Sequence, residues 1–271
     1  MRDIQPLLLR AKKELYGYLN GQNISSILGQ GYDFAELREY QPSDDIRHIS
    51  WINSAKLGEP YIKKMHEERE LHIAVCSLVD GRFLVGAKRE LWIETLATLG
   101  YAAQYANDDF LSLLLNREDQ QLYPPSKNIE QIEHGIRAIA QTPLINRSSH
   151  YAHAPAILLD RITQKSLLFI IGDFLDPIDL SILAQKHEVI AIIIRDESEE
   201  HPRPAPNTQL INPQNSQEIR TKLSPKAIRH YQAQLKKHDQ TLKEHLFQYG
   251  IGFTKIQSQK EILPKLIELL R

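Results

Sequence analysis

A chain of 271 residues with a single cysteine, Cys76, makes no disulfide within the monomer, so its stability rests on an apolar core, and the length suffices to build one. Cys76 lies in the apolar run 71–79, where it reads as a small buried hydrophobe; a reactive thiolate needs a cationic, partly exposed setting. Neither sign of charge is in surplus: Lys and Arg total 33 against 34 Asp and Glu, which gives no global drive toward nucleic acid or anionic membrane. No apolar run approaches the roughly 18–20 residues of a transmembrane helix, and Met1-Arg-Asp-Ile-Gln-Pro6 lacks the hydrophobic segment of a signal peptide. The expectation is a soluble cytoplasmic protein without an integral membrane segment. Also missing are Gly-x-Ser-x-Gly, the P-loop and Gly-x-Gly-x-x-Gly, so hydrolase, NTPase and dinucleotide readings have no motif. The 11 histidines form one short pair, His150-x-x-His153, with no Glu or Cys at metalloenzyme spacing. Residues 225–249 carry Lys226, Arg229, Lys236, Lys237 and Lys243; they read as a solvated helix face and not as an aromatic-interleaved basic patch, and no nucleic-acid partner is expected.

What is present is an alternation of apolar strands and amphipathic helices. Ile4, Leu7, Leu8, Ala11, Leu15 and Leu19 predict an N-terminal helix over 4–20. Nearly unbroken apolar runs at 71–79, 110–115, 166–172 and 187–194 predict buried strands, with a short strand near Leu122. Helices are predicted at 87–106, 128–141, 155–162, 180–186, 225–249 and 260–270, and a hairpin over 209–220 around the turn at 212–215. The acidic, proline-rich stretch 195–206 is expected to hold neither helix nor central strand. Strand–helix alternation implies a Rossmann-like α/β fold, a mostly parallel central sheet with helices on both faces, preceded by an N-terminal helical and loop extension. Such sheets bind ligands at the C-terminal strand ends, which directs attention to Asp80, Arg82, Asn116 and Asp173.

The densest stretch is Gly31-Tyr-Asp-Phe-Ala-Glu-Leu-Arg-Glu-Tyr-Gln-Pro-Ser-Asp-Asp-Ile-Arg-His-Ile-Ser-Trp51. Read structurally, Arg38 and Arg47 pair with carboxylates, Asp44 or Asp45 caps a helical turn, and Tyr40 and Trp51 pack on the core. Read functionally, the same arginines and aromatics form a docking surface, since Trp, Tyr and Arg dominate interface hot spots. Followed by Ser54-Ala-Lys56 and Glu67-Glu-Arg-Glu70, this stretch resembles the bacterial family called domain of unknown function 58; Gly172-Asp-Phe174 and 195–199 resemble two further motifs of that family. Ser43 and Ser50 depart from its pattern, which has Gly and Asp there.

The resemblance implies a von Willebrand factor A-like domain at 69–271, an N-terminal clasp or extension at 1–68 packed on it, and a partner of the MoxR-type AAA+ ATPase class. In such domains a metal-ion-dependent adhesion site offers Asp-x-Ser-x-Ser, a Thr and an Asp to a hard cation. Here Leu78, Asp80 and Arg82 fall at the first three positions, and only Ser148, Ser149 and His153 stand near the Thr. Asp173 keeps its place. The expectation is therefore a degenerate site, with Asp80, Arg82 and Asp173 as a polar cluster in place of the ion and no metal or other cofactor. A magnesium-dependent adhesion module is the first alternative and an uncharacterised hydrolase the second; the oligomeric state is left open.

Overall fold

The structure is a computed structural model that describes residues 4–21, 34–41, 49–51, 53–54, 58–65 and 71–270. In chain order its strands are β1 (Phe34–Glu39), β2 (Tyr61–Met65), β3 (His72–Leu78), β4 (Asp109–Leu115), β5 (Gln120–Ser126), β6 (Leu167–Gly172), β7 (Glu188–Ile194), β8 (Ala205–Ile211), β9 (Glu218–Leu223) and β10 (Gly252–Ile256). The α-helices are α1 (Gln5–Gly21), α2 (Lys88–Ala106), α3 (Ile129–Gln141), α4 (Ala154–Arg161), α5 (Ser181–Ala184), α6 (Glu197–Glu200), α7 (Pro225–Gln248) and α8 (Ile262–Leu269). Two compact units result, one of Met1–Gly17 with Leu71–Arg271 and one of Tyr18–Glu70.

In the larger unit six strands lie in the order β10-β7-β6-β3-β4-β5, parallel except for β5, which runs antiparallel to β4 at one edge. Pro124 and Pro125 sit in β5 because an edge strand tolerates a missing N–H. The inner strands are apolar almost throughout, as they must be with helices on both faces. On one face Cys76, Leu113, Ile170 and Ala191 pack against Leu158 of α4, Leu183 of α5 and Leu246 of α7. Alternation sends Val75, Phe169 and Ile171 to the other face, where Trp92 and Leu96 of α2 and Ile136 and Ile139 of α3 are buried. Trp92 Nε1 donates to Ser77 Oγ at 2.8 Å, so the largest core side chain carries no unpaired donor.

From β3 the chain steps outward to β4 and β5, then returns past β3 to lay down β6, β7 and β10 on the other side. Between β3 and β6 the winding reverses, and the crevice outside their C-terminal ends is the place where doubly wound sheets hold ligands.

Two expectations need correction. The stretch 195–206 does contain a helix, the single turn α6, because Asp196 and Glu199 form a capping box that satisfies its first N–H groups; β8 then begins inside the proline-rich part, on an isolated hairpin. The first seventeen residues group with the sheet and not with the extension expected at 1–68. Arg10 Nε lies 3.1 Å from Glu94 Oε1, and Tyr16 Oη donates to Gln104 Oε1 at 3.0 Å, both on α2. Helix α7 carries the solvated face expected of it: its five basic residues are exposed, while Ile228, Leu242 and Leu246 are buried on the other side.

The smaller unit pairs β1 antiparallel with β2, and Ile49 bridges Ile62 on the other side of β2. Ser50 N donates to Tyr61 O at 2.8 Å and Tyr61 N to Ser54 Oγ at 2.8 Å, which ties a helical turn to that strand. Among the described residues no helix is long and apolar enough to cross a membrane.

Glu94 is 1% exposed, and burial pushes its carboxyl from the ordinary 4.5 up to about 7; Arg10 offsets part of this and Glu14 adds to it. The folded state then holds a proton that the unfolded state releases between those two values, so this group lowers stability as pH rises through that window. Thermal midpoints of wild type and Glu94→Gln, compared from pH 4.5 to 8, are expected to diverge in favour of the variant as pH rises. Parallel curves would refute the assignment.

Candidate functional site

Strand β3 ends at Leu78, and two residues later Asp80 caps a 3-10 turn, Gly81–Leu84, with Oδ1 accepting from Arg82 N at 2.8 Å. The tight turn folds the Arg82 side chain back over its own cap. Nε reaches Asp80 Oδ1 at 3.2 Å and Nη2 reaches Asp80 Oδ2 at 2.7 Å, a forked pair. Across the switch point, Arg82 Nε lies 3.2 Å from Asp173 Oδ2 and Nη2 lies 2.9 Å from Asp176 Oδ2. Three of the four residues expected at the strand ends are thus brought together, and a guanidinium stands between carboxylates from the ends of β3 and β6.

Asp173 is fully buried and collects more partners. Lys88 Nζ, also fully buried, lies 3.3 Å from its Oδ2 and 2.8 Å from Glu199 Oε1. Tyr151 Oη accepts from Phe174 N at 3.1 Å and shares its proton between Asp173 Oδ1 at 3.2 Å and Leu78 O at 3.3 Å. Gly172 must lack a side chain, since a Cβ would stand 2.3 Å from that hydroxyl. Buried Arg195, directly after β7, donates through Nε to Asp173 O at 2.8 Å and through Nη2 to Asp239 Oδ1 on α7 at 3.1 Å. Burial alone would raise the Asp173 carboxyl, but Arg82 and Lys88 overcome it and hold the group below its ordinary range. Asp80 shifts upward, because its burial and the charge of Asp173 outweigh the help from Arg82. Burial works against the charge of Arg82 too, and Asp173 with Asp80 more than restores it.

A hairpin covers the cluster. The tip between β8 and β9 seats Pro213 O against Gly81, where a Cβ would meet it at 2.2 Å. Asn146 N donates to Pro213 O at 3.0 Å, and Gln214 Nε2 donates to Asp80 Oδ2 at 3.0 Å. Ser149, one of the two serines expected near the site, donates to Asp176 Oδ2 at 2.5 Å. Ser148 instead bonds Glu118, and His153 stacks on His150 at 4.9 Å. Asn116, the fourth strand-end residue, braces its own loop, with Oδ1 accepting from Asp119 N at 2.7 Å and Nδ2 donating to Val79 O at 3.3 Å.

Of the clasp residues, Arg38 is on β1 opposite Ile62, and Tyr40 N donates to Pro60 O at 2.8 Å; Asp44, Asp45 and Arg47 lie outside the described residues. Trp51 is 70% exposed and so does not pack on a core as expected. Ser50 and Ser54 share the helical face bonded to β2, which turns position 51 outward.

Sequence reasoning missed Lys88, Tyr151, Asp176, Arg195 and Asp239. The strand-end rule that singled out Asp80 and Asp173 applies equally to Arg195, the residue that closes the apolar run of β7. Lys88 opens a helix predicted from its apolar rhythm, and nothing local separates it from a solvated lysine.

A family model described as "Protein of unknown function DUF58" matches residues 36–241. The uncharacterized proteins Mb1516 of Mycobacterium bovis and Rv1480 of Mycobacterium tuberculosis are each 28% identical over 203 residues, covering 71% of this chain and 64% of theirs. This chain therefore spans less than two thirds of the length of those relatives. Among solved structures, the conserved hypothetical protein BatB from Bacteroides thetaiotaomicron has a TM-score of 0.48 at 10% identity, over 74% of this chain and 97% of that one. An aerotolerance-related membrane protein from Bacteroides fragilis has a TM-score of 0.43 at 11% identity, over 74% and 98%.

Removing the guanidinium leaves buried Asp80 without its counter-charge and Asp173 with Lys88 alone. Arg82→Ser is expected to cost about 3–5 kcal/mol in denaturant unfolding, and Arg82→Lys less, since it keeps the charge and loses the fork. A loss below about 1 kcal/mol for Arg82→Ser, the range of an exposed pair, would show that the cluster does not hold the strand ends together.

Proposed function

This chain belongs to the DUF58 family, and we propose that it is a non-enzymatic, cytoplasmic protein-interaction module, the partner of a MoxR-type AAA+ ATPase in chaperone-like or stress-related maturation of other complexes. The observation that carries the reading is the hairpin whose tip closes the strand-end site. Leu210 and Ile219 are cross-strand partners on it, hence on one face, and are 43% and 64% exposed. A two-stranded ribbon open to solvent on that face is marginal by itself, and paired exposed aliphatics mark a surface that a partner covers. Leu210 also lines an open groove of about 630 Å³ with Leu223, Pro202, His201 and Arg203, an apolar floor with a polar rim suited to a protein segment.

The choice of an AAA+ ATPase rests on the resemblance of Gly31–Trp51, and exposed Trp51 is a second candidate anchor. The strand order and the placement of Asp80 and Asp173 support the reading as a von Willebrand factor A-like domain whose metal site is degenerate. The cation between the carboxylates is the protein's own Arg82, which takes the place a divalent ion would need.

Binding of the purified ATPase to Leu210→Asp/Ile219→Asp is expected to weaken at least about tenfold, the scale of one lost hot spot, with the thermal midpoint unchanged because both side chains already face water. Unchanged affinity would remove the hairpin from the interface. A calorimetric titration with magnesium is expected to give no saturable heat; heat that Asp173→Ala abolishes would establish the metal-dependent alternative. Turnover in an esterase and phosphatase screen would overturn the non-enzymatic reading.

A further inference from the structure

At 24 residues α7 is the longest of the described helices, and it turns one charged face to solvent. At 100° per residue Lys226, Arg229, Lys236, Lys237 and Lys243 fall within an arc of roughly 120°, opposite the buried Ile228, Leu242 and Leu246. All five are exposed, and none enters an ion pair or a side-chain hydrogen bond among the described residues. Elsewhere the cations that border acids are paired, as Arg137 is with Glu133 and Arg147 with Asp119. Residues 203–248 hold eight Lys and Arg against three Asp and Glu, in a chain whose totals are 33 and 34, so positive charge is concentrated here.

The acids around α7 do not offset this face. Asp239, on the inner side of the helix, is held by Arg195 and Lys255. Glu200 of α6, whose carbonyl accepts from Gln232 Nε2 at 3.0 Å, is held by Lys255, and Glu199 by Lys88. Glu244 is the one acid within the arc; it accepts from Gln240 at 2.8 Å and offsets one charge of the five, which leaves a surplus of four.

The spacing of the cations indicates what would match them. Arg229, Lys236 and Lys243 stand seven residues apart, hence about 10.5 Å apart along one line of the helix. Ala233 and Gln240 lie between them on the same stripe, which ends at Phe247. Phe247 is 73% exposed, and its ring meets that of Phe253 edge-on at 5.5 Å, which holds it in place. A second helix with carboxylates every seventh residue repeats at that same interval, as charged flanks do in helix pairs. A nucleic acid carries a phosphate every few ångströms, so most would go unmatched, and no aromatic lies among these cations for bases to stack on. A bilayer gains from large apolar side chains set among the cations, and Ala233 and Gln240 supply none.

We propose that this face of α7 docks an acidic helix of a partner protein, with carboxylates at seven-residue spacing against Arg229, Lys236 and Lys243 and an apolar side chain against Phe247. The contact rests on α7 alone and is independent of the proposed ATPase partnership, whose tested residues are on the hairpin.

The test is fluorescence anisotropy of the full chain with a labelled helical peptide of alanine and glutamine that carries Glu at every seventh position and a leucine at each end. Saturable binding is expected, at least tenfold tighter than that of an isomer whose glutamates are scattered round the helix, and at least tenfold weaker at 300 mM than at about 50 mM salt. Lys236→Glu/Lys243→Glu, at exposed positions that leave the thermal midpoint unchanged, is expected to weaken binding at least tenfold and to gain affinity for the peptide with Lys in place of Glu. Phe247→Ala is expected to weaken it several-fold. Absence of saturable binding, equal binding of the scattered isomer, or indifference to the charge reversal would each overturn the proposal. Tighter binding of phosphatidylserine vesicles or of polyuridylate would assign the face to lipid or nucleic acid and overturn it too.

Discussion

The structure depends on a guanidinium held between two buried carboxylates. Arg82 joins the turn after β3 to the loop after β6, the two strands between which the chain reverses its direction of winding. At that point no continuous helix or ladder crosses the strand ends, so the loops must be held by side chains. Carboxylates taken from water are costly unless each has a paired charge, and here Arg82 and Lys88 supply it to Asp173 while Arg195 binds the carbonyl of the same residue. The network reaches α6 through Glu199 and α7 through Asp239. It therefore links the ends of β3, β6 and β7 to α6 and α7.

That arrangement also explains the shape of the surface above it. With the centre occupied by internal ion pairs, the hairpin tip can sit directly on it, and Gly81 allows backbone contact there. The strands of the same hairpin keep their aliphatic pair in solvent. The closed, charge-satisfied centre and the exposed apolar ribbon are the two features on which the proposed interaction role rests.

Much of the fold was readable along the chain. The apolar runs of β3, β4, β6 and β7 have no polar face, and only a sheet covered on both sides accommodates them. Asp80, Arg82 and Asp173 were reachable by one further rule, that parallel sheets gather ligand residues at strand C-termini. Lys88 and Tyr151 were not, because a buried lysine and a solvated one look alike within an amphipathic helix, and Tyr151 acquires its role only from Gly172, twenty-one residues on. The one-turn helix at Glu197–Glu200 was obscured by the prolines that follow it; its capping box is a local signal that composition masked.

The sequence by itself determined most of the secondary structure, the parallel sheet and the family, since each rests on residue order over short spans: apolar period, turn chemistry, and the run Gly31–Trp51. Tertiary structure alone decided which charges meet. That Arg82 reaches Asp176 depends on the approach of loops 94 residues apart, and that the hairpin covers Asp80 depends on a contact spanning 134 residues. Such contacts are decided by how the whole core packs, because the cost of burying an ion is recovered only when its partner is brought to within hydrogen-bond reach.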